Sequence, residues 1–290
     1  MAESPIRRTK NQGDEADEFS PRPDLWSGVC AGPHPRQQDA VPLNQKVIVI
    51  TGASGGIGGA LAIVAAKRGA SVVLVARRAA ELEQIARECG ENSLVIVADV
   101  TNRDEVKRVV REALARFGRI DVWVNNVGQG ITRVPSELTD DDIDHIMRVN
   151  VKSALYGMQE VLPHFRERGD GQIVNVSSML GRIPFAVFRS AYNGAKHFLN
   201  ALTANFRMEH AESHPGIVFT LVSPGVVRTE FGSNAMHGGP DSRQLPYSQS
   251  VEEVAEVIAN AIDSKRKDVY TREGSRERVA EYYSTVGEDP

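Results

Sequence analysis

The chain has 290 residues, of which 41% are apolar and 25% are charged, so fibrous, collagen-like and wholly disordered proteins are excluded and a sizeable buried core is expected. Acidic residues outnumber basic residues by 38 to 34, which argues against nucleic acid as the main partner. Cys30 and Cys89 are the two cysteines, and no apolar run reaches the length of a membrane span or a secretory signal. The expected protein is therefore cytoplasmic, without a disulfide framework, a metal site or a membrane partner.

Residues 1–42 carry six of the 14 prolines and no periodic apolar pattern, which predicts a flexible Pro-rich N-terminal extension. Three basic residues between 7 and 10 would suit an organelle-targeting leader, but four acids follow between 14 and 18, and such leaders avoid acids. The apolar residues Leu25, Trp26 and Val29 leave open that part of the extension docks on a neighbouring subunit.

From Gln45 onward, short apolar runs alternate with amphipathic stretches, which is the pattern of βαβ units around a parallel sheet. Strands are predicted at 46–51, 71–76, 93–98, 120–125, 171–177, 216–222 and 268–271. Helices are predicted at 57–68, 79–89, 103–117, 140–168, 191–213 and 250–263. The predicted fold is α/β, a Rossmann-type doubly wound parallel sheet of about seven strands with helices on both faces, in a single domain. This catalytic domain covers 43–275, and a polar C-terminal tail follows at 276–290.

The first predicted strand leads through a glycine-rich turn, residues 51–58, into the first predicted helix. Such a turn lets the backbone approach a pyrophosphate, while the helix N-terminus supplies N–H donors and the positive end of its dipole. Glycines also collect in purely structural turns, but the position after the first strand favours nucleotide binding. The cofactor contacts predicted in this turn are Gly52, Ser54, Gly56, Ile57 and Gly58.

The end of the second predicted strand indicates which dinucleotide is bound. A dinucleotide site that prefers NAD usually has an acid about twenty residues after the turn, where it binds the ribose 2′-hydroxyl. Here Ala76 is followed by Arg77 and Arg78, and guanidinium groups suit a 2′-phosphate. NADP(H) is therefore favoured over NAD(H), although two arginines that merely open a solvated helix would look the same.

Several motifs follow in the order of a known family. Residues 51–58 match TGxxxGxG, residues 125–128 are similar to NNAG with Val127 in place of alanine, and Tyr192 and Lys196 form YxxxK. On these motifs, residues 45–272 resemble the short-chain dehydrogenase/reductase family in its single-domain branch. The glycine spacing also fits the extended branch, which works on nucleotide sugars, but the chain lacks that branch's large C-terminal substrate domain.

The resemblance implies a role for each matching residue. Tyr192 would be the general acid or base, Lys196 would lower its pKa and hold the nicotinamide ribose, and Asn150 would keep a water in the proton relay. Ser178 would hold the substrate oxygen, with Ser177 as the alternative. Besides the turn, the arginines, Tyr192 and Lys196, the implied cofactor contacts are Asp99, Val100, Asn126, Gly128, Pro224, Gly225, Val227 and Thr229.

Physical chemistry supports one of these roles directly. Tyr192 and Lys196 are four residues apart at the start of a predicted helix, so their side chains lie on one face. A nearby ammonium favours the phenolate, which predicts a lowered pKa for the Tyr192 hydroxyl.

Two segments are expected to line the substrate site. One lies between the proposed serine and tyrosine, and the other is the glycine-rich stretch 228–250, which is predicted to be a mobile loop. Their apolar side chains suggest a substrate with a hydrophobic body, while Arg189 and Arg228 leave a less favoured anionic substrate open. The histidines are interpreted as surface or packing residues; they include His145, His164, His197, His210 and His214.

Together these features predict an NADP(H)-dependent oxidoreductase that transfers a hydride between nicotinamide and a carbonyl or secondary alcohol. The alternatives are an NAD-preferring alcohol dehydrogenase of the same fold and a non-catalytic dinucleotide-sensing or scaffold protein. The resemblance further implies a homodimer or homotetramer, with helices 140–168 and 191–213 as the subunit contacts.

Overall fold

The computed structural model describes residues 43–286, which form one seven-stranded sheet and its flanking helices. The strands are β1 Val47–Thr51, β2 Ser71–Ala76, β3 Ser93–Val97, β4 Val122–Asn125, β5 Gly171–Val176, β6 Ile217–Ser223 and β7 Asp268–Tyr270. The α-helices are α1 Gly56–Lys67, α2 Ala79–Cys89, α3 Arg103–Phe117, α4 Asp140–Met147, α5 Ser153–Arg168, α6 Ser190–His210, α7 Val251–Asp263 and α8 Ser275–Thr285. The predicted N-terminal extension, including Cys30, lies outside the described residues.

All neighbouring strands are parallel, in the order β3-β2-β1-β4-β5-β6-β7. The strand order reverses at β1. Strand β2 pairs with one edge of β1, and β4 pairs with the other edge. In doubly wound sheets this reversal opens a crevice at the carboxyl ends of the strands, and ligands bind there. The predicted Rossmann-type sheet is confirmed.

The sheet is buried on both faces because its strands are apolar at consecutive positions. All five residues of β1 are buried. Ile48 and Ile50 pack with α1, α2 and α7, whereas Val47 and Val49 point to the opposite face and pack with α3, α5 and α6. The two apolar layers fix the strands, so their carboxyl ends form a stable platform for a site.

The predicted helix at 140–168 is interrupted in the structure. A π-helical turn at Arg148–Lys152 separates α4 from α5. Side chains compete for the backbone carbonyls of this region: the Asn150 Nδ2 donates to the Ile146 carbonyl at 3.0 Å, and the Ser153 hydroxyl donates to the Val149 carbonyl at 2.5 Å. The sequence did not predict this interruption, because the apolar positions continue at helical spacing on both sides of it. A π-turn adds one residue without exposing the buried face of the helix.

The polar tail predicted at 276–290 forms helix α8 over most of its length. The amino-acid pattern missed this helix because its stripe of apolar residues is weak. A tertiary contact supports it instead, since the Tyr283 hydroxyl donates to the Arg182 carbonyl at 2.9 Å. No helix between residues 43 and 286 is long and apolar enough to cross a membrane.

Candidate active site

A cleft of about 720 Å³ lies at the carboxyl ends of the strands. Most of the residues predicted from the sequence meet there. Those that line the cleft are Gly52, Ser54, Gly56, Ile57, Arg77, Arg78, Asp99, Val100, Asn126, Gly128, Ser178, Tyr192, Lys196, Pro224, Gly225, Val227 and Thr229. Gly58 and Asn150 were also predicted, and neither is part of the lining.

The glycine-rich turn has a backbone that other residues would strain. Gly52 and Gly56 have φ angles of +69° and +55°. A Cβ on Gly58 would lie 2.4 Å from the Gly52 carbonyl oxygen and 2.6 Å from the Asn126 Nδ2. Gly58 therefore allows the first turn of α1 to pack closely against the loop at Gly52. It supports the shape of the cleft without lining it.

Helix α1 begins at this turn, and no side chain caps the N–H groups of its first turn. Its N-cap residue, Gly55, has no side chain to accept a hydrogen bond from the first-turn N–H groups. These donors and the positive end of the helix dipole face a cleft lined by Gly52, Gly56 and Ile57. The arrangement fits the pyrophosphate of a dinucleotide.

The outer end of the cleft is basic. Arg78 donates from Nε and Nη2 to the Ser54 hydroxyl at 3.2 and 3.0 Å, and it forms an ion pair with Glu81 at 3.2 Å. Arg77 is exposed and forms no ion pair with any residue between 43 and 286. Its guanidinium is therefore available to bind an anion at this end of the cleft.

Asp99 orders the turn that follows β3 at the edge of the cleft. Its Oδ1 accepts hydrogen bonds from the backbone N–H and the hydroxyl of Thr101, at 2.9 and 2.8 Å. These bonds fix the turn that carries Val100 into the lining.

Tyr192 and Ser178 meet at the inner end of the cleft. Tyr192 is 6% exposed, and the Ser178 side chain lines the same part of the cleft and opposes the rise in the pKa of the Tyr192 hydroxyl. The neighbouring Ser177 also lines the cleft, but its hydroxyl donates to the Asn200 Oδ1 at 2.5 Å. The Ser178 side chain thus acts on the tyrosine, whereas the Ser177 hydroxyl is engaged by Asn200.

Lys196 lies one turn along α6 from Tyr192 and is 3% exposed. Its ammonium donates to the Val176 carbonyl at 3.0 Å and lies 5.6 Å from the centroid of the Tyr192 ring. A Cβ on Gly128 would lie 3.4 Å from the Lys196 Nζ and 3.0 Å from the Asn150 Oδ1, so this glycine allows the two side chains to approach each other.

Asn150 is fully buried behind the cleft wall, on the π-helical turn. Its Oδ1 accepts from the Gln129 N–H at 3.1 Å, and its Nδ2 donates to the Gln129 and Ile146 carbonyls, both at 3.0 Å. The side chain therefore anchors the segment that carries Gly128 and Gln129 to the helix.

The predicted lowering of the Tyr192 pKa by Lys196 is wrong. Burial raises the pKa of Tyr192 to about 12, while the Ser178 hydrogen bond and the Arg189 charge act in the opposite direction. Burial also lowers the pKa of Lys196 to about 8. Both charged forms lose solvation in the wall of the cleft, and Lys196 is not among the groups that shift the pKa of Tyr192.

The substrate end is apolar. Phe185, Phe188, Phe231 and Tyr247 line it, and the Phe231 ring packs on Tyr192 with centroids 5.3 Å apart. The loop at 228–250 is held by backbone hydrogen bonds, among them Met236 N–H to the Gly130 carbonyl at 2.9 Å.

Two histidines have roles that the sequence did not reveal. His145 lines the cleft and pairs with the Gln129 Oε1 at 2.8 Å; burial, then Arg148 and Arg77, lower its pKa. His237 has a φ of +62° and pairs with Asp142 on α4 at 2.8 Å. Both partners are distant along the chain, so no local spacing identified them.

The chain resembles known proteins over most of its length. A sequence model of the short chain dehydrogenase family matches residues 46–238. An uncharacterized oxidoreductase of Bacillus subtilis is 33% identical over 235 residues, which are 79% of this chain and 65% of the relative. The match therefore spans just under two thirds of that relative.

Two solved structures share the fold. One is an alcohol dehydrogenase from Thermococcus sibiricus complexed with 5-hydroxy-NADP, which is 28% identical with a TM-score of 0.67 and covers 78% of this chain and 94% of its own. The other is a 3-ketoacyl-(acyl-carrier-protein) reductase from Brucella melitensis complexed with NADH, which is 28% identical with a TM-score of 0.72 and covers 80% of this chain and 99% of its own.

Proposed function

This chain belongs to the short-chain dehydrogenase/reductase family, and on that basis we propose that it is an NADP(H)-dependent oxidoreductase. It transfers a hydride between nicotinamide and a carbonyl or secondary alcohol of a small, largely apolar substrate. The observation that carries this proposal is that Ser178, Tyr192 and Lys196 line the inner end of a cleft that begins at the open N-terminus of α1.

The cleft has suitable groups for each part of a nicotinamide dinucleotide. The α1 amides would hold the pyrophosphate, Asp99 and Val100 would hold the adenine, and the lining from Pro224 to Thr229 would hold the nicotinamide. When bound, the nicotinamide supplies the hydride for reduction and accepts it in oxidation.

The preference for NADP(H) rests on this chain's own residues. The two solved neighbours carry cofactors of both types, so similarity to them does not choose between NAD and NADP. Arg77 has no acidic partner in the described part of the chain and lines the outer end of the cleft. A 2′-phosphate would give its guanidinium a counter-charge.

Four side chains divide the work of proton transfer. The Ser178 hydroxyl donates to the substrate oxygen and orients it. Tyr192 gives its proton to that oxygen in reduction and removes the hydroxyl proton in oxidation. Lys196 would hold the ribose, and Asn150 fixes the wall behind Gly128, where a water relay would run.

The apolar rings at the substrate end favour a ketone, aldehyde or quinone with a hydrophobic body. We further propose that the protein is cytoplasmic. It would assemble as a homodimer or homotetramer through helices 140–168 and 191–213.

The first experiment follows the loss of NADPH absorbance, and separately of NADH absorbance, over a panel of ketones, aldehydes and quinones. Wild type and Tyr192→Phe are measured in parallel. We expect turnover with NADPH that falls by about 10²–10⁴-fold in the variant, because the general acid is lost.

Equal or faster turnover with NADH would contradict the preference for NADP(H) that we infer from Arg77. If neither cofactor binds or reacts, the non-catalytic alternative replaces the enzyme.

A further inference from the structure

Three aromatic side chains at the substrate end both line the cleft and are exposed to solvent, so they lie at its mouth. They are Phe185, Phe188 and Tyr247, which are 64%, 40% and 56% exposed. We call these three residues the apolar rim. Single exposed apolar side chains are ordinary, but a group of them at the mouth of one cleft is typical of a surface that binds an apolar ligand.

The backbone that carries the rim is anchored on both segments. The Phe188 carbonyl accepts a hydrogen bond from the Arg133 N–H at 2.8 Å. In the loop, the Arg272 guanidinium donates to the Tyr247 carbonyl. The rings are therefore exposed on segments that other parts of the fold hold in place, and the rim is present before a ligand binds.

The same cleft has an apolar lining around Tyr192. The Phe231 ring packs on the Tyr192 ring with centroids 5.3 Å apart, and Leu180 packs in the same apolar cluster. Both Phe231 and Leu180 line the cleft. Apolar surface is therefore available within one cleft, both beside the proposed acid/base and at the mouth.

Two charged side chains of the described lining lie at this end, and both are engaged by other groups. Arg189 donates from Nη1 to the Ile131 carbonyl at 3.2 Å, and its Cζ lies 5.4 Å from the centroid of the Phe188 ring. Glu230 forms an ion pair with Arg243 at 3.3 Å. A carbonyl and a ring face stabilise the first charge and a guanidinium stabilises the second, so an uncharged ligand chain suits the rim.

We propose that the apolar rim binds the hydrocarbon chain of the substrate while the substrate carbonyl lies at Tyr192. The inference rests on the proposed function and names a substrate class for it: uncharged ketones with a linear alkyl chain, and the secondary alcohols that they yield. A methylene group that becomes fully buried improves binding about fourfold, and one that packs on the rim from one side improves it about twofold. A compact ketone reaches the inner part of the cleft alone and lacks this gain.

The test is the dependence of kcat/KM on chain length, measured with NADPH over the linear 2-alkanones from butanone to decanone. The variants are Phe185→Ala, Phe185→Leu and, as a matched control, Val187→Ala. Val187 lies in the same segment and is 60% exposed, but it does not belong to the cleft lining. Because the side chains of Phe185 and Val187 are both exposed, their removal leaves the core intact.

We expect kcat/KM of wild type to rise about two- to fourfold with each added methylene group until the chain covers the rim, and then to level off. In Phe185→Ala the ratio of kcat/KM for decanone to that for butanone should fall by about tenfold, because the ring contacts several methylene groups. Phe185→Leu should recover most of the ratio, and Val187→Ala should keep the wild-type ratio. A wild-type rate that does not depend on chain length, or an unchanged ratio in Phe185→Ala, would overturn the inference.

Two further measurements separate the ways in which the proposals can fail. Titration calorimetry of the same ketones, with the protein alone and with NADP⁺, requires no turnover. If wild type reduces no carbonyl, the proposed function fails, and the calorimetric affinities for decanone and butanone in wild type and Phe185→Ala still decide whether the rim binds a chain. Light scattering gives the oligomeric state of both proteins. A change of oligomeric state in Phe185→Ala with an unchanged decanone-to-butanone ratio would show that a second copy of the chain covers the rim, and it would overturn the inference.

Discussion

Ser177 and Ser178 are adjacent in the chain, yet the strand ahead of them turns their hydroxyls in opposite directions. Ser178 lines the cleft with Tyr192 and accepts from the Leu180 N–H, while Ser177 bonds Asn200, which in turn donates to the Gly181 carbonyl. The sequence left both serines open, because two neighbouring hydroxyls have the same local chemistry. Burial and partner choice, which depend on α6, separate them.

The two alanine variants should therefore differ in kind. Ser178→Ala should lower kcat/KM by about 10²–10³-fold, because it removes the donor to the substrate oxygen. It should also lower the free energy of unfolding by up to about 1 kcal/mol, because the Leu180 N–H loses its acceptor. Ser177→Ala should keep most of the activity and lose about 1 kcal/mol or more in the free energy of unfolding, because the Asn200 amide oxygen loses its hydrogen-bond donor. Steady-state kinetics and urea denaturation measure the two effects. The reverse pattern would show that Ser177 is the catalytic serine.

Arg77 and Arg78 can be distinguished in the same way. Arg77→Gln should raise KM for NADPH by about ten- to a hundredfold and leave KM for NADH within about twofold, because a charge-assisted bond to the 2′-phosphate is lost. Arg78→Gln is the comparison. Arg78 already bonds Ser54 and pairs with Glu81, so its loss should disturb the turn and change KM for NADPH and NADH alike. Equal effects of Arg77→Gln on the two cofactors would contradict the 2′-phosphate role.

Among the secondary-structure elements, the strands and the helices that cover the sheet could be predicted because each one carries its own periodicity. The run from Val47 to Ile50 is buried on both faces and can only be a central strand. The exceptions depend on tertiary contacts. The π-turn around Asn150 arises from side chains that bond backbone carbonyls, and α8 is supported by the bond from Tyr283 to Arg182.

The same reasoning applies to the site. Tyr192, Lys196 and the glycine turn have signatures in the sequence. The pKa shifts of Tyr192 and Lys196 depend on how deeply the folded chain buries them. The pair of Asp142 with His237 joins residues 95 positions apart. No local pattern encodes either property.

This pair connects helix α4 to the substrate loop and makes stability depend on pH. Hydrogen bonds from His237 and from the Thr139 backbone hold the pKa of the Asp142 carboxyl well below its usual range. A carboxyl whose folded pKa is lowered stabilises the fold above its unfolded pKa, near 4, and the contribution disappears as the pH falls through the folded value. Asp142→Asn should therefore lower the urea midpoint at pH 6–7, and the difference from wild type should shrink as the solution is acidified.

Asp141→Asn is the matched control, because Asp141 lies in the same helical turn, is exposed and forms no ion pair in the described part of the chain. A difference between wild type and Asp142→Asn that stays constant down to about pH 3 would show that the carboxylate charge is not involved.

Across the whole molecule, the cleft joins both halves of the sheet. Its lining runs from Arg77 after β2, over the turn after β1, to Thr229 after β6. A dinucleotide bound along this path contacts loops that follow most of the strands, so binding and global stability are coupled.

NADPH should therefore raise the melting temperature of wild type by several degrees, since a ligand at about a hundred times its Kd adds about 2.7 kcal/mol to the free energy of unfolding. NADH at the same concentration should raise it less, because it lacks the 2′-phosphate that would pair with Arg77. In Gly58→Ala the shift should largely disappear, since the added methyl group would lie 2.4 Å from the Gly52 carbonyl oxygen and force the phosphate turn apart from α1. Gly194→Ala is the control, because nothing lies within 4 Å of its Cβ position on α6. Thermal unfolding with and without each cofactor measures all four shifts, and a full NADPH shift in Gly58→Ala would mean that the cofactor is not held at this turn.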